Sequence, residues 1–206
     1  MKVLIESVSS VQDIEVQNKP DYVTDERWEK ILRIRPLEDK KRSLLAGRLL
    51  ARMCEECGIA EHVYGTVGSG KPVLISHPKW AFSISHSGEY VVLVYQEDVK
   101  AIGVDIQQIR IVSEGLKKRI LHEKEVLWLE KNVRRTVPDA ETIMLNRIWA
   151  IKESYVKMTG EGLSHDFRKL CIDFEAGTVM DETGRSASFL EPDVPEGYVA
   201  AVAIEE

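Results

Sequence analysis

From about Asp139 to Thr159, apolar side chains recur at Met144, Ile148, Ile151, Tyr155 and Met158, in steps of four, three, four and three. That spacing is one stripe of a long α-helix, and the stripe is stable only against another apolar surface. The rest of the chain must therefore supply a second layer. Leu44, Leu45, Leu49, Leu50, Met53 and Cys54 form a second helical stripe, closed by Gly58 as a residue that ends a helix well. Strand patterns surround both stripes: residues 1–8, Val63 to Val67, Trp80 to Ser85, Tyr90 to Tyr95, Val99 to Ile106, Leu170 to Phe174 and Tyr198 to Ile204. A short cationic helix is expected from Arg27 to about Arg35, and helical text from about Ser113 to Asn132.

The order of these patterns predicts an α+β fold of two similar halves, each a long helix packed on a small, largely antiparallel sheet. A faint internal echo supports it: Tyr90-Val91-Val92-Leu93-Val94 with Glu97, and Tyr198-Val199-Ala200-Ala201-Val202 with Glu205. The expected division is 1–101 and 102–206, and the junction of two such halves is a natural place for a cleft.

A 44% apolar content over 206 residues is enough for a substantial core, while the formal charge of −6 offers no global attraction for a nucleic-acid backbone. An anionic ligand must be held by a local cluster of cations. The apolar run at the N-terminus is too short for a signal peptide, and no stretch reaches the ~20 apolar residues of a membrane span. The expectation is a soluble, cytoplasmic monomer that binds neither nucleic acid nor membrane. Cys54, Cys57 and Cys171 are an odd count, and Cys54-Glu55-Glu56-Cys57 has no second ligand pair nearby, so reduced structural thiols are expected.

Three segments carry chemistry. In Ile102-Gly103-Val104-Asp105-Ile106-Gln107, a strand puts Asp105 and Gln107 on one face, where they could hold a hard cation or simply meet water. On the long helix, Trp149, Glu153 and Lys157 step by four; Glu153 lies about 200° around from Ile151, with Lys152 beside it. A carboxylate and two ammonium groups off the core stripe suit a metal-bound diphosphate, although a solvated helix face would read the same way. Phe82-Ser83-Ile84-Ser85-His86-Ser87-Gly88 runs from strand into turn and could offer donors to phosphate, or form only a hydrogen-bonded turn. No Gly-x-Ser-x-Gly elbow supports a serine hydrolase, and Gly70-Lys71-Pro72 lacks the glycine spacing of a P-loop.

Taken in order, Gly70-Lys71-Pro72, the Phe82–Gly88 segment, Ile102–Ile106, Trp149-Ala150-Ile151-Lys152-Glu153-Ser154-Tyr155-Val156-Lys157 and the following Gly160-Glu161-Gly162-Leu163 resemble the signature of Sfp-type 4'-phosphopantetheinyl transferases. The resemblance spans about Arg27 to Leu163. It implies a fold of two pseudo-symmetric halves and transfer of the phosphopantetheine arm of coenzyme A to a serine of an apo acyl or peptidyl carrier protein, releasing 3',5'-ADP. The implied metal is magnesium, or manganese in its place, on Asp105, Glu153 and Gln107. Coenzyme A is implied at Arg27, Lys30, Arg42, Lys71, Ser85, His86 and Lys152, with its 3'-phosphate and adenine against the first half. Catalysis falls to Glu153, Lys157 and Glu125, with either glutamate as the base. Lys117-Lys118-Arg119 is the expected carrier-docking patch.

Two departures from the family pattern matter. Gln107 stands where broad-specificity members usually have Glu, and the long helix mixes features of two subgroups. The alternative is a non-catalytic relative that only binds coenzyme A or a carrier protein.

Overall fold

The computed structural model describes residues 1–60, 63–133, 139–162 and 165–205, so Leu163 of the Gly160–Leu163 segment lies outside the described residues. Strand β1 (Lys2–Ser7) leads into helices α1 (Asp13–Gln17), α2 (Asp25–Arg33) and α3 (Leu37–Glu56). Strands β2 (Tyr64–Val67), β3 (Lys71–Leu74), β4 (Trp80–Ser87), β5 (Tyr90–Glu97) and β6 (Ala101–Gln108) come next. Helices α4 (Glu114–Ile120), α5 (Glu123–Asn132) and α6 (Ala140–Thr159) precede strands β7 (Cys171–Asp173), β8 (Thr178–Met180), β9 (Ser186–Leu190) and β10 (Tyr198–Glu205). All pairings are antiparallel, in the orders β1-β5-β4, β6-β10-β9-β8-β7 and the β2-β3 hairpin.

Alternation along the central strands assigns each side chain to a layer. On β5, Val91, Leu93 and Tyr95 join Leu45, Leu49 and Met53 beneath α3, while Val92 and Val94 point the other way. Those two valines meet Ile102, Val104 and Ile106 of β6 and Ala200 and Val202 of β10 between the sheets. The opposite face of β10, with Ala201 and Ala203, packs under Ile148, Ile151 and Tyr155 of α6. The result is a helix–sheet–sheet–helix stack with three apolar layers. Burying a single Leu, Ile or Val side chain in such a layer contributes about 1.5–3 kcal/mol.

The two sheets meet where the edge of β4 approaches β6, and the junction is made by side chains. Ser83 Oγ accepts from Val104 N–H at 3.1 Å, Ser87 Oγ accepts from Gln108 N–H at 3.0 Å, and Ser85 Oγ donates to Asp105 Oδ1 at 2.8 Å. The alternate serines of the Phe82–Gly88 segment are thus a seam. On the other face of β4, Phe82 lies in the α3 core. The sequence echo is structural as well: Tyr90 and Tyr198 open strands of equal length, and their rings meet edge to face at 4.9 Å.

Small residues let α6 approach its sheet closely. A Cβ on Gly103 would sit 2.0 Å from Ser154 O and 2.4 Å from Met158 N, so only glycine fits between β6 and this helix. The expected helix over 113–132 is two helices. His122 interrupts it: its Nδ1 accepts from Lys124 N–H at 3.2 Å, and Glu125 Oε2 accepts from His122 N–H at 2.9 Å, starting α5 with a capping box. Helix α1 and strands β3, β8 and β9 are additions to the sequence reading. All three cysteines are free, and no described helix is long and apolar enough to cross a membrane.

Candidate active site

A cleft of ≈ 680 Å³ opens between β4, β6, α6 and the segment leading into α4. Its polar end is lined by Ser85, His86, Asp105, Gln107, Glu153 and Lys157, and its apolar end by Val112, Leu116 and Trp149 among others. Asp105 stands at the polar centre, 2% exposed. Lys157 Nζ donates to its Oδ1 at 2.5 Å and to Ser85 Oγ at 2.7 Å, while Gln107 Nε2 donates to Oδ2 at 2.6 Å. Strand alternation puts Asp105 and Gln107 on the face toward α6, and the absence of a Cβ at Gly103 lets that face reach the helix.

Glu153 lies one helical turn before Lys157 and is also buried. Burial and the neighbouring Asp105 push its carboxyl up to about 7, against the smaller opposing effect of Lys157. Two buried neighbouring carboxylates, with the Lys157 ammonium on Asp105, would be relieved by a cation. Among the described residues no group of three or more His, Cys, Asp and Glu that could hold a metal ion gathers; Asp105 and Glu153 are carboxylates on the cleft wall, and an ion held there would need substrate and water oxygens as well. That donor set fits magnesium, which prefers oxygen and commonly keeps several waters.

The first half adds His86 on the cleft wall, its ring held below the usual histidine range by burial and then by Arg42 and Lys157. Arg42 donates to Gly88 O at 2.8 Å and pairs with Asp39. Other residues assigned to coenzyme A or to catalysis have different surroundings. Arg27 is turned inward: its guanidinium donates to Ser43 O at 2.8 Å and packs on Gly47. Lys30 is exposed on α2 and paired with Glu26 at 2.7 Å. Lys71 donates to the carbonyls of Ile102 at 2.8 Å and Met158 at 2.9 Å, so its ammonium is engaged by main chain.

Lys152 and Glu125 need the largest correction. Lys152 is fully buried and donates to Ile120 O at 2.7 Å and Phe167 O at 2.9 Å while contacting Glu125 Oε2 at 2.7 Å. Glu125 also accepts from the N–H groups of His122 and Ile172, at 2.9 and 3.2 Å. Burial pushes the carboxyl up and the ammonium down, against their mutual attraction. Neither lines the cleft. The helical angle of Lys152 placed it off the main stripe correctly, but α4, the start of α5 and residues 167–169 cover that side. The pair is internal scaffolding, and of the two glutamates only Glu153 lines the cleft.

Asn146 and Arg110 also line the cleft, outside the sequence motifs. Asn146, buried on α6, accepts from Arg110 N–H at 3.4 Å and donates to Arg110 O at 2.8 Å, fixing the exit of β6 to the helix. Arg110 in turn donates to Gln108 Oε1 at 2.7 Å. A lone Asn inside an apolar helix was the available signal for the first; position after the strand carried none for the second.

The family model described as the 4'-phosphopantetheinyl transferase superfamily matches residues 101–203. A 4'-phosphopantetheinyl transferase of Bacillus subtilis is 31% identical over 148 residues, covering 69% of this chain and 62% of the relative. An L-aminoadipate-semialdehyde dehydrogenase-phosphopantetheinyl transferase of Mus musculus is 29% identical over 191 residues, covering 80% of this chain and 62% of the relative. Among solved structures, the holo-[acyl-carrier-protein] synthase of Thermotoga maritima is similar with a TM-score of 0.36 and 20% identity, over 52% of this chain and 64% of that one. The chain spans 62% of the length of these curated relatives.

Proposed function

Because the chain belongs to the 4'-phosphopantetheinyl transferase superfamily, we propose that it moves the phosphopantetheine arm of coenzyme A onto a serine of an apo carrier protein. The observation that carries this reading is the Asp105–Glu153–Lys157 cluster, set into a cleft where the two sheets meet. In this reading 1–101 and 102–206 are the two working halves. Ser85, His86 and Arg42 supply donors on the first side, and Asp105, Glu153 and Lys157 supply charge on the second. Free thiols support a reducing, cytoplasmic setting.

Asp105 and Glu153 would hold magnesium, with the Gln107 amide oxygen or water completing the set; when bound, the ion screens the diphosphate and polarises phosphorus. Glu153, which faces the cleft, is placed to accept the proton of the attacking serine hydroxyl, directly or through water. The serine oxygen forms a bond to the phosphorus bearing the pantetheine arm as the bond to the leaving 3',5'-ADP breaks. Lys157, which rests on Asp105 and Ser85, donates to the phosphate oxygens where charge accumulates. The apolar end of the cleft keeps bulk water from the acceptor. On α4, Lys118 and Arg119 are exposed for an acidic carrier, while Lys117 is engaged by Glu114 and Glu141 at 2.8 and 2.6 Å.

Incubation with coenzyme A, magnesium and apo carrier proteins, followed by intact mass of the carriers, tests the proposal. Carriers that gain the phosphopantetheine arm support it. Free phosphopantetheine would point to hydrolysis, and binding without product to the non-catalytic alternative; either would overturn it.

A further inference from the structure

The β2–β3 hairpin is a separate two-stranded sheet, and its turn is tied to the C-terminal end of α6. Ser69 donates to Gly160 O twice, from its main-chain N–H and from its hydroxyl, each at 2.8 Å. The approach leaves no room for side chains: a Cβ on Gly68 would sit 2.2 Å from Gly160 O, and one on Gly162 2.3 Å from Ser69 Oγ. Directly after this turn comes Lys71, whose ammonium joins Ile102 O of β6 to Met158 O of α6. These are the two elements that carry Asp105 on one side and Glu153 and Lys157 on the other.

The last carbonyls of a helix have no donor within the helix, and a cation at that end is favoured by the helix dipole. Lys71 meets both conditions and extends the bond to the neighbouring strand. Met158 adjoins Lys157, and Ile102 precedes Gly103, where helix and strand come closest. Gly103 permits the approach; Lys71 and Ser69 fasten its open end. Burial pushes the Lys71 ammonium down to about 8, with Arg185 acting in the same direction and Glu205 against it. The cation is satisfied by the carbonyl dipoles of Ile102 and Met158.

We propose that Lys71 is a positioning residue: its ammonium holds the β6–α6 spacing that the Asp105–Glu153–Lys157 cluster requires, and it does not bind the anionic substrate. The kinetic part of the test rests on the transferase reading; the exchange part does not. In Lys71→Met, hydrogen exchange at the Ser69 and Gly160 amides of the ligand-free protein should quicken by about tenfold or more, because their closed state loses its anchor. With coenzyme A and carrier saturating, kcat should fall about tenfold while KM for coenzyme A stays within about twofold, the mark of lost geometry. Lys71→Arg, which keeps the charge and several donors, should recover most of both.

A Lys71→Met variant with unchanged exchange and kcat but a KM for coenzyme A raised about tenfold or more would overturn the proposal, because that is the mark of a substrate contact. Unchanged exchange and kinetics together would overturn it as well. If the wild-type protein transfers nothing, the transferase reading fails and the exchange result alone decides the role of Lys71. Should the Met variant not fold, the rate of Lys71 acetylation by acetic anhydride in the wild-type protein decides. Equal rates with and without coenzyme A support positioning; protection by coenzyme A overturns it.

Discussion

Gly103→Ala would separate the two elements that build the site. The added Cβ would meet Ser154 O at 2.0 Å and Met158 N at 2.4 Å, where ordinary contact begins at 3.4 Å, so strand and helix must part by about 1.4 Å. The atoms in the way are main chain, and no side-chain rotation can relieve them. Overpacking of this kind costs about 1–3 kcal/mol, which lowers Tm by several degrees in a chain of this size. The kinetic loss should be larger than the stability loss suggests. Asp105 lies two residues along the displaced strand, and its 2.5 Å contact with Lys157 passes out of hydrogen-bond range once the strand retreats by about 1 Å. A displacement of that size commonly costs about a hundredfold in rate. Urea unfolding gives the folded fraction, and carrier mass at saturating coenzyme A gives turnover per folded molecule. Wild-type stability together with wild-type turnover would refute the reasoning that the β6–α6 contact fixes the catalytic geometry.

Glu153→Gln removes a carboxyl held at about 7, against 4.5 when unfolded; a raised acid loses stability as pH climbs through that interval and stays lower above it. The metal-free variant should therefore be more stable than wild type at pH 8, by on the order of 3 kcal/mol, yet nearly inactive; equal urea midpoints would contradict this. Gln107→Glu puts a like charge where an amide now donates to Asp105 at 2.6 Å, so the metal-free protein should melt lower and magnesium should restore it. Half-maximal activity should also need less magnesium, and an unchanged titration would exclude position 107 from the metal's surroundings. Lys152→Met strands the Glu125 carboxylate in the interior and should cost about 3–5 kcal/mol by denaturant unfolding, whereas pairing it with Glu125→Leu should recover part of that, because the main-chain groups that the pair satisfies at residues 120, 122, 167 and 172 lose their partners. No recovery at all in the double variant would show that the stranded charge is not a main part of the loss. Charge reversal at Lys118 and Arg119 should raise KM for the carrier several-fold at low salt and leave that for coenzyme A alone; an unaltered carrier dependence rules the patch out.

The parts of the site that rest on regular periodicity were legible in the sequence. A period of two places Asp105 beside Gln107, and a step of four stacks Glu153 under Lys157, so both faces follow from backbone geometry. What periodicity cannot say is which surface covers a face. Lys152 sits off the main stripe as expected, but α4, α5 and residues 167–169 enclose it, and its charge is answered inside the protein. The family resemblance sets Glu125 near the metal, although its position three residues after His122 is that of a helix-capping glutamate. The resemblance assigns Lys71 to coenzyme A, whereas its ammonium rests on two carbonyls brought together from residues 102 and 158. Strands β8 and β9 escaped because Thr178-Val179-Met180 and Ser186-Ala187-Ser188-Phe189-Leu190 are too short or too polar for a clear alternation; β10 and β7 hold them in place.

The serine seam also protects the chain against a particular mistake. Because side chains alternate across a strand, shifting β4 by one residue would turn Phe82, Ile84 and His86 toward β6 and send Ser83, Ser85 and Ser87 into the apolar layer under α3. Hydroxyls would be stranded in hydrocarbon, and bulky groups would fill a junction that admits only small ones. A mispaired β4 hairpin is thus rejected on both faces at once, and the second sheet cannot dock on it. Asp105 then never meets Ser85, so a chain that folds with the wrong register has no assembled site with which to bind substrate.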